Sequence, residues 1–186
     1  MKEYLREFIS SDIDNNIEYL KELFKDNSDV VFREFYASCN KKVFLIYIDG
    51  IGNKDMLDDF VIESLMLTDK EISVKEFKSK LLTVSDLREI GNLKEGIQAV
   101  LSGDTMMLME GVSIGYVIAS RSWPVRGISE PSGETVIRGG RDGFSETIRF
   151  NTALIRRRIR DTSLKVKSQV IGRRRSEEHT SELQSQ

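Results

Sequence analysis

The chain has 186 residues, 28 of them basic and 30 acidic, for a formal net charge of −2, and 39% of it is hydrophobic. That apolar share supports a packed core and excludes a disordered polar tail, and the length fits one ordinary domain or two small ones. One histidine, His179, and one cysteine, Cys39, exclude an internal disulfide and a typical zinc site, so the thiol reads as buried or incidental in a reducing compartment.

The first residues, Met1-Lys2-Glu3-Tyr4-Leu5-Arg6-Glu7, are mixed in charge and helical in character, unlike a signal peptide. No run approaches the roughly 18 consecutive apolar residues of a membrane span, so this stretch is expected to be soluble and cytosolic. Ser11 and Asp12 cap a predicted helix to about residue 25. In it Ile13, Ile17, Leu20, Leu23 and Phe24 recur at helical spacing. Asn27-Ser28 ends it. Residues 29–36 alternate and predict a strand near an edge. Asn40-Lys41 is a turn. Val43-Phe44-Leu45-Ile46-Tyr47-Ile48 is an unbroken apolar run, the pattern of a strand buried on both faces.

Asp49-Gly50 ends that strand, and a helix is predicted over about 54–67. Residues 68–83 are charged and weakly patterned. Ser85-Asp86 predicts the start of a short helix, and Asn92 caps another that ends at Ser102-Gly103. Two strands follow over 105–109 and 112–119, separated only by Glu110-Gly111, which is a hairpin signal. Residues 1–119 thus predict an α/β or α+β module, a mixed sheet flanked by helices. Trp123-Pro124 leaves the hairpin, and Pro131, Ser132 and Gly133 mark a loop. Gly143-Phe144-Ser145-Glu146 leads into a helix through about residue 158, with Ile148, Thr152 and Ile155 on one stripe and Ala153 beside it. Lys165, Lys167 and Gln169 alternate with Val166, Ser168 and Val170 like a strand. Residues 175–185, Arg-Ser-Glu-Glu-His-Thr-Ser-Glu-Leu-Gln-Ser, look like the in-frame translation of a DNA sequencing adapter. On that reading the natural sequence runs on past about residue 174, and residues 1–174 hold no histidine.

Charge is divided along the chain. Residues 149–175 hold ten basic residues and one acid, Asp161, whereas residues 1–148 hold 18 basic and 26 acidic residues. An acidic body with a basic C-terminal segment suggests an anionic partner for that segment.

Catalytic motifs are poor. Without histidine, general-base work loses its usual carrier. Asp49-Gly50-Ile51-Gly52 lacks the third glycine of a dinucleotide fingerprint, and no Gly-Lys-Ser/Thr phosphate loop occurs, so it reads as a strand-to-helix turn. Asp49, Asp58 and Asp59 could meet a hard cation, but a solvated helix start is the better reading of Asp58 and Asp59. The densest motif is Arg138-Gly139-Gly140-Arg141-Asp142-Gly143-Phe144-Ser145-Glu146. Its glycines allow a close backbone approach, and its arginines could hold an anion near a helix N-terminus. The favoured physical reading is a turn that salt-bridges to nearby acids while Ser145 or Asp142 caps the next helix. Arg156-Arg157-Arg158-Ile159-Arg160 could face nucleic acid or anionic lipid. Adjacent helical residues fan out, however, and no aromatics interleave, so a solvated or interdomain salt-bridged helix end is favoured.

The block Glu134-Thr135-Val136-Ile137-Arg138-Gly139-Gly140-Arg141-Asp142-Gly143-Phe144-Ser145-Glu146, followed by Asn151-Thr152-Ala153-Leu154-Ile155-Arg156-Arg157-Arg158-Ile159-Arg160, closely resembles the A subunits of bacterial spore germination receptors and their stage V sporulation relative. The family typically has Pro in place of Gly140, and often Glu and Thr in place of Asp142 and Ser145. Tyr47-Ile48-Asp49-Gly50, Gly103-Asp104 through Glu110-Gly111, and Trp123-Pro124-Val125-Arg126 are similar to family segments as well.

The resemblance implies a cytosolic N-terminal region of two α/β subdomains ahead of a missing multi-helix membrane domain in the inner spore membrane. The first subdomain would span 1–125. The second would begin at 126–174 and be incomplete, with 175–186 the adapter-like tail. It further implies B and C receptor subunits as partners, a homo-oligomer of A subunits, and a role in nutrient-triggered germination by signalling and assembly rather than catalysis, with no cofactor and no metal. Arg138, Gly139, Arg141, Asp142, Gly143, Phe144, Glu146, Asn151, Arg156 and Arg157 are then expected at a joint between subdomains or subunits. The competing expectation is a free-standing anion- or nucleic-acid-binding module that uses the basic segment 149–174.

Overall fold

The computed structural model describes residues 8–37, 40–66, 86–122, 144 and 147–169. Helix α1 is Ile13–Leu23, opened by Asp12, whose side chain accepts the Asp14 N–H at 3.1 Å. Such a cap satisfies one of the N–H groups that a helix start leaves unpaired. The chain turns at Asp26, whose φ is +62°, and enters strand β1, Val30–Tyr36. Strand β2, Lys42–Ile48, pairs with it antiparallel from Val30↔Ile48 to Tyr36↔Lys42.

The helix expected over 54–67 forms in three pieces. Helix α2 is Lys54–Met56, a π-helical turn spans Leu57–Ile62, and α3 is Glu63–Met66. Strand β3, Leu87–Ile90, replaces the short helix expected after Ser85-Asp86. Leu-Arg-Glu-Ile fits one helical turn as well as one strand, and pairing with β5 (Leu87↔Ile118, Ile90↔Gly115) decides between them. Helix α4, Leu93–Leu101, is capped by Asn92, which accepts the Glu95 N–H at 2.8 Å.

Strands β4, Thr105–Met109, and β5, Gly115–Ile118, form the expected hairpin with a wider loop. Their register, Thr105↔Ile118 and Met107↔Tyr116, delays β5 to Gly115. Glu110 N–H donates to the Lys42 carbonyl and Gly111 N–H to the Ser11 carbonyl, which draws both residues out of a two-residue turn. Helix α5 is Ile148–Arg158.

The sheet order is β1-β2-β4-β5-β3. Where a mixed sheet was expected, every described ladder is antiparallel, so the α+β form of the expected class holds. Period-two alternation splits the core into two layers. Phe44, Ile46, Ile48, Met106, Leu108 and Val117 face α1 and α4, while Val43, Leu45, Tyr47, Met107 and Ile118 face Leu57, Ile62 and Leu65. β2 is therefore buried on both sides, as its unbroken apolar run requires. The segment expected to form a strand near 165–170 joins no ladder through residue 169. It is held instead by bonds to the α1–β1 connection.

Candidate functional site

Antiparallel pairing gathers five chain crossings at one end of the sheet. β1 enters there after Asp29, β2 leaves at Asp49, β3 enters after Asp86, β4 enters after Asp104, and β5 leaves toward Ser120 and Arg121. Four aspartates thus stand at one sheet end, and three of them, Asp29, Asp49 and Asp104, meet an arginine.

Arg121 grips Asp104 with two bonds, Nε to Oδ1 at 2.7 Å and Nη2 to Oδ2 at 2.6 Å. That hydrogen bonding holds the Arg121 guanidinium above its ordinary range. Arg149 of α5 reaches Asp49 at 2.5 Å, with both side chains well exposed. Arg156 of α5 is fully buried and binds Asp29, Nε to Oδ2 at 2.6 Å and Nη2 to Oδ1 at 2.9 Å. Its remaining donors reach Asn27 Oδ1 at 2.5 Å, the Leu164 carbonyl at 3.0 Å and the Asp161 carbonyl at 3.5 Å. All five guanidinium N–H groups are used, which is what a buried arginine needs to offset its lost hydration.

Backbone geometry lets α5 come this close. Gly50 has φ +82°, and a Cβ there would stand 3.0 Å from Arg149 Cγ and 3.0 Å from the Arg149 carbonyl oxygen. Gly103 has φ +102°, and its Cβ would lie 2.3 Å from Ile51 Cγ2. Asn53 N–H donates to the Ser120 carbonyl, Ser122 N–H to the Ile51 carbonyl, and the buried Thr105 and Ser120 hydroxyls meet at 2.7 Å.

Beyond α5 the chain crosses the α1–β1 connection. Lys165 Nζ donates to the Leu23 carbonyl at 2.9 Å, a cation on a helix C-terminus. Val166 N–H donates to Asn27 Oδ1 at 3.0 Å, and the Ser28 N–H and hydroxyl both donate to the Val166 carbonyl. Among the described residues no three acids, histidines or cysteines gather to hold a metal ion.

Of the residues singled out by sequence, Arg138, Gly139, Arg141, Asp142, Gly143 and Glu146 lie outside the described residues. Phe144 is 73% exposed. Asn151 is half-buried, Arg157 is exposed, and only Arg156 reaches the sheet end. The N-cap of α5 is Thr147, without a side-chain cap bond, where Asp142 or Ser145 was expected; both of those lie outside the described residues. Its buried residues are Ala153, Leu154 and Arg156, whereas the expected stripe Ile148, Thr152 and Ile155 is half-buried. The helix is turned so that Arg149, Ala153 and Arg156 meet the sheet end. Sequence reasoning missed Asn27, Asp29, Asp104, Arg121 and Arg149. The usable signal was the 149/153/156 spacing, which puts two arginines and a small alanine on one helical face.

The model of the family described as Bacillus/Clostridium GerA spore germination protein matches residues 18–180. Spore germination protein B1 of Bacillus subtilis (strain 168) is 35% identical over 170 residues, covering 89% of this chain and 35% of that protein. An uncharacterized membrane protein of the same organism, YfkQ, is 31% identical over 166 residues, covering 88% of this chain and 32% of its own length. The chain thus spans about a third of the length of these curated relatives. The fold matches the crystal structure of the N-terminal domain of the A subunit of the Bacillus megaterium spore germinant receptor GerK3. The TM-score is 0.69 at 21% identity, covering 91% of this chain and 63% of that one.

Proposed function

Because the chain belongs to the Bacillus/Clostridium GerA spore germination family, we propose that it forms the cytosolic head of a germinant-receptor A subunit in the inner spore membrane. It acts in nutrient-triggered germination by signalling and assembly rather than by catalysis. Its partners are the receptor B and C subunits and further A subunits, and the membrane is reached through a later domain. The first subdomain ends near residue 125, and Arg138, Arg141, Asp142, Phe144 and Glu146 make the contacts to the next subdomain or subunit.

The observation that carries this reading is the Arg156 knot. It places a fully buried charge, with every donor used, between a helix and the end of a sheet. That arrangement fixes the position of one element against another.

The same contacts weigh against a free-standing anion-binding module. Arg149, Arg156, Lys165 and Lys167 of the basic segment all bond within the chain.

The test is Arg141→Glu in the full-length receptor gene, made in spores with its B and C partners. Loss of nutrient germination, or of the assembled complex, is expected. Normal germination at a normal A-subunit level overturns the proposal.

A further inference from the structure

Residues 159–168 run as an irregular strap from the end of α5 over the α1–β1 connection, and none of its residues is buried. Its hold on the module is polar: the Arg156 bonds to the Asp161 and Leu164 carbonyls, Lys165 on the Leu23 carbonyl, and the Val166 bonds to Asn27 and Ser28. Helix α5 itself buries only two apolar side chains, Ala153 and Leu154. An element with so little apolar burial belongs to the low-stability end of a fold.

The latch chemistry gives this weakness a definite form. While the arm is docked, Arg156 and Asp29 both lack water and depend on each other. When it is undocked, both regain hydration. The costly state is the one between, with a single charge stranded in the interior. A contact of this kind favours two positions and disfavours gradual loosening.

We propose that α5 and the strap form one detachable arm, latched to the sheet end by Arg156 and Asp29, which releases and re-docks as a unit while the five-stranded sheet stays folded. The proposal rests on these contacts and not on the receptor reading.

Amide hydrogen exchange on the full 186-residue chain tests it. The amides of residues 151–158, Ser28 and Val166 should exchange as one group, about tenfold or more faster than those of β2. Asp29→Asn should speed that group by a further factor of about ten and leave β2 and β4 unchanged. Arm amides as slow as β2, a matching rise in β2 and β4, or separate responses of α5 and Val166 would each overturn the proposal.

A second variant decides the matter if Asp29→Asn fails to fold. The Ser28 and Ser168 hydroxyl oxygens are 2.8 Å apart, so Ser28→Cys with Ser168→Cys, in a Cys39→Ser background, places two thiols where a disulfide of about 2.05 Å can close. Oxidation should slow α5 and Val166 together to the rate of β2, and reduction should restore them. An α5 rate indifferent to the cross-link overturns the latch.

Discussion

Two ionic networks flank the same strand pair, and water separates their behaviour. Between α1 and the β1–β2 pair, Asp14, Lys42, Glu34 and Lys21 form an alternating chain with links of 2.7, 3.0 and 2.6 Å, and its side chains are 21–73% exposed. At the sheet end, Arg156 and Asp29 make contacts of the same length with 0% and 7% exposure. The first network can lose a member and let water fill the gap. The second cannot lose one member in place, because the other would remain as a bare charge in the interior. Equal distances therefore carry unequal consequences.

The largest expected effect breaks the buried side. Arg156→Met should remove about 3–5 kcal/mol from the docked position of α5, because Asp29 is left without a counter-charge. Limited trypsin digestion reads this as faster cutting after Arg157 and Arg158. Adding Asp29→Leu should recover most of the loss, since an apolar pair of similar volume tolerates the same site. No change in cutting for the single variant would erase the contrast.

A middle-sized effect concerns the backbone on which α5 rests. Gly50→Val forces a branched residue into φ +82° with Arg149 atoms 3.0 Å from its Cβ. A cost of about 1–3 kcal/mol in urea unfolding is expected. A neutral result would mean that α5 stands further from the sheet end than described.

The smallest effect lies on the exposed side. Lys21, and then Lys42, hold the Glu34 carboxyl below its usual value of 4.5, and Asp14 and Glu34 hold the Lys42 amine above its own. Because the folded value of Glu34 is lowered, its contribution is present above the unfolded value and fades as pH falls through the folded one. Glu34→Gln should cost about 0.5 kcal/mol near neutral pH, with the difference shrinking in salt and vanishing in acid. A cost equal to that of Arg156→Met would show that burial is not what separates the networks.

Much of the fold was legible because local chemistry and tertiary burial agree. Asp12 and Asn92 cap helices as their side chains predict, and the apolar run 43–48 is a strand buried on both faces. Legibility failed where one pattern serves two structures. Leu87-Arg88-Glu89-Ile90 satisfies a helical turn and an edge strand alike, and only β5 selects the strand. The hairpin register depends on where Lys42 and Ser11 pull Glu110 and Gly111, which sequence neighbours do not reveal. The candidate site was least legible. Arg156 sits among identical arginines and differs from Arg157 only by the direction it faces, and Asp29 is one acid among thirty. The fanned-out arginines and missing aromatics of the basic run pointed to a solvated or salt-bridged helix end; Arg157 and Arg158 are exposed and Arg156 is paired, but the sequence could not name Asp29 as its partner.

The Arg156–Asp29 pair also spans 127 residues of sequence. At a synthesis rate of about 5–20 residues per second, Asp29 waits roughly 6–25 s for its counter-charge to be made. In that interval all five strands have left the peptidyl-transfer centre, and the aspartate remains hydrated at an open sheet end. The nascent chain therefore builds its sheet without the knot, and helix α5, made after all five strands, carries the guanidinium that drives the remaining water out.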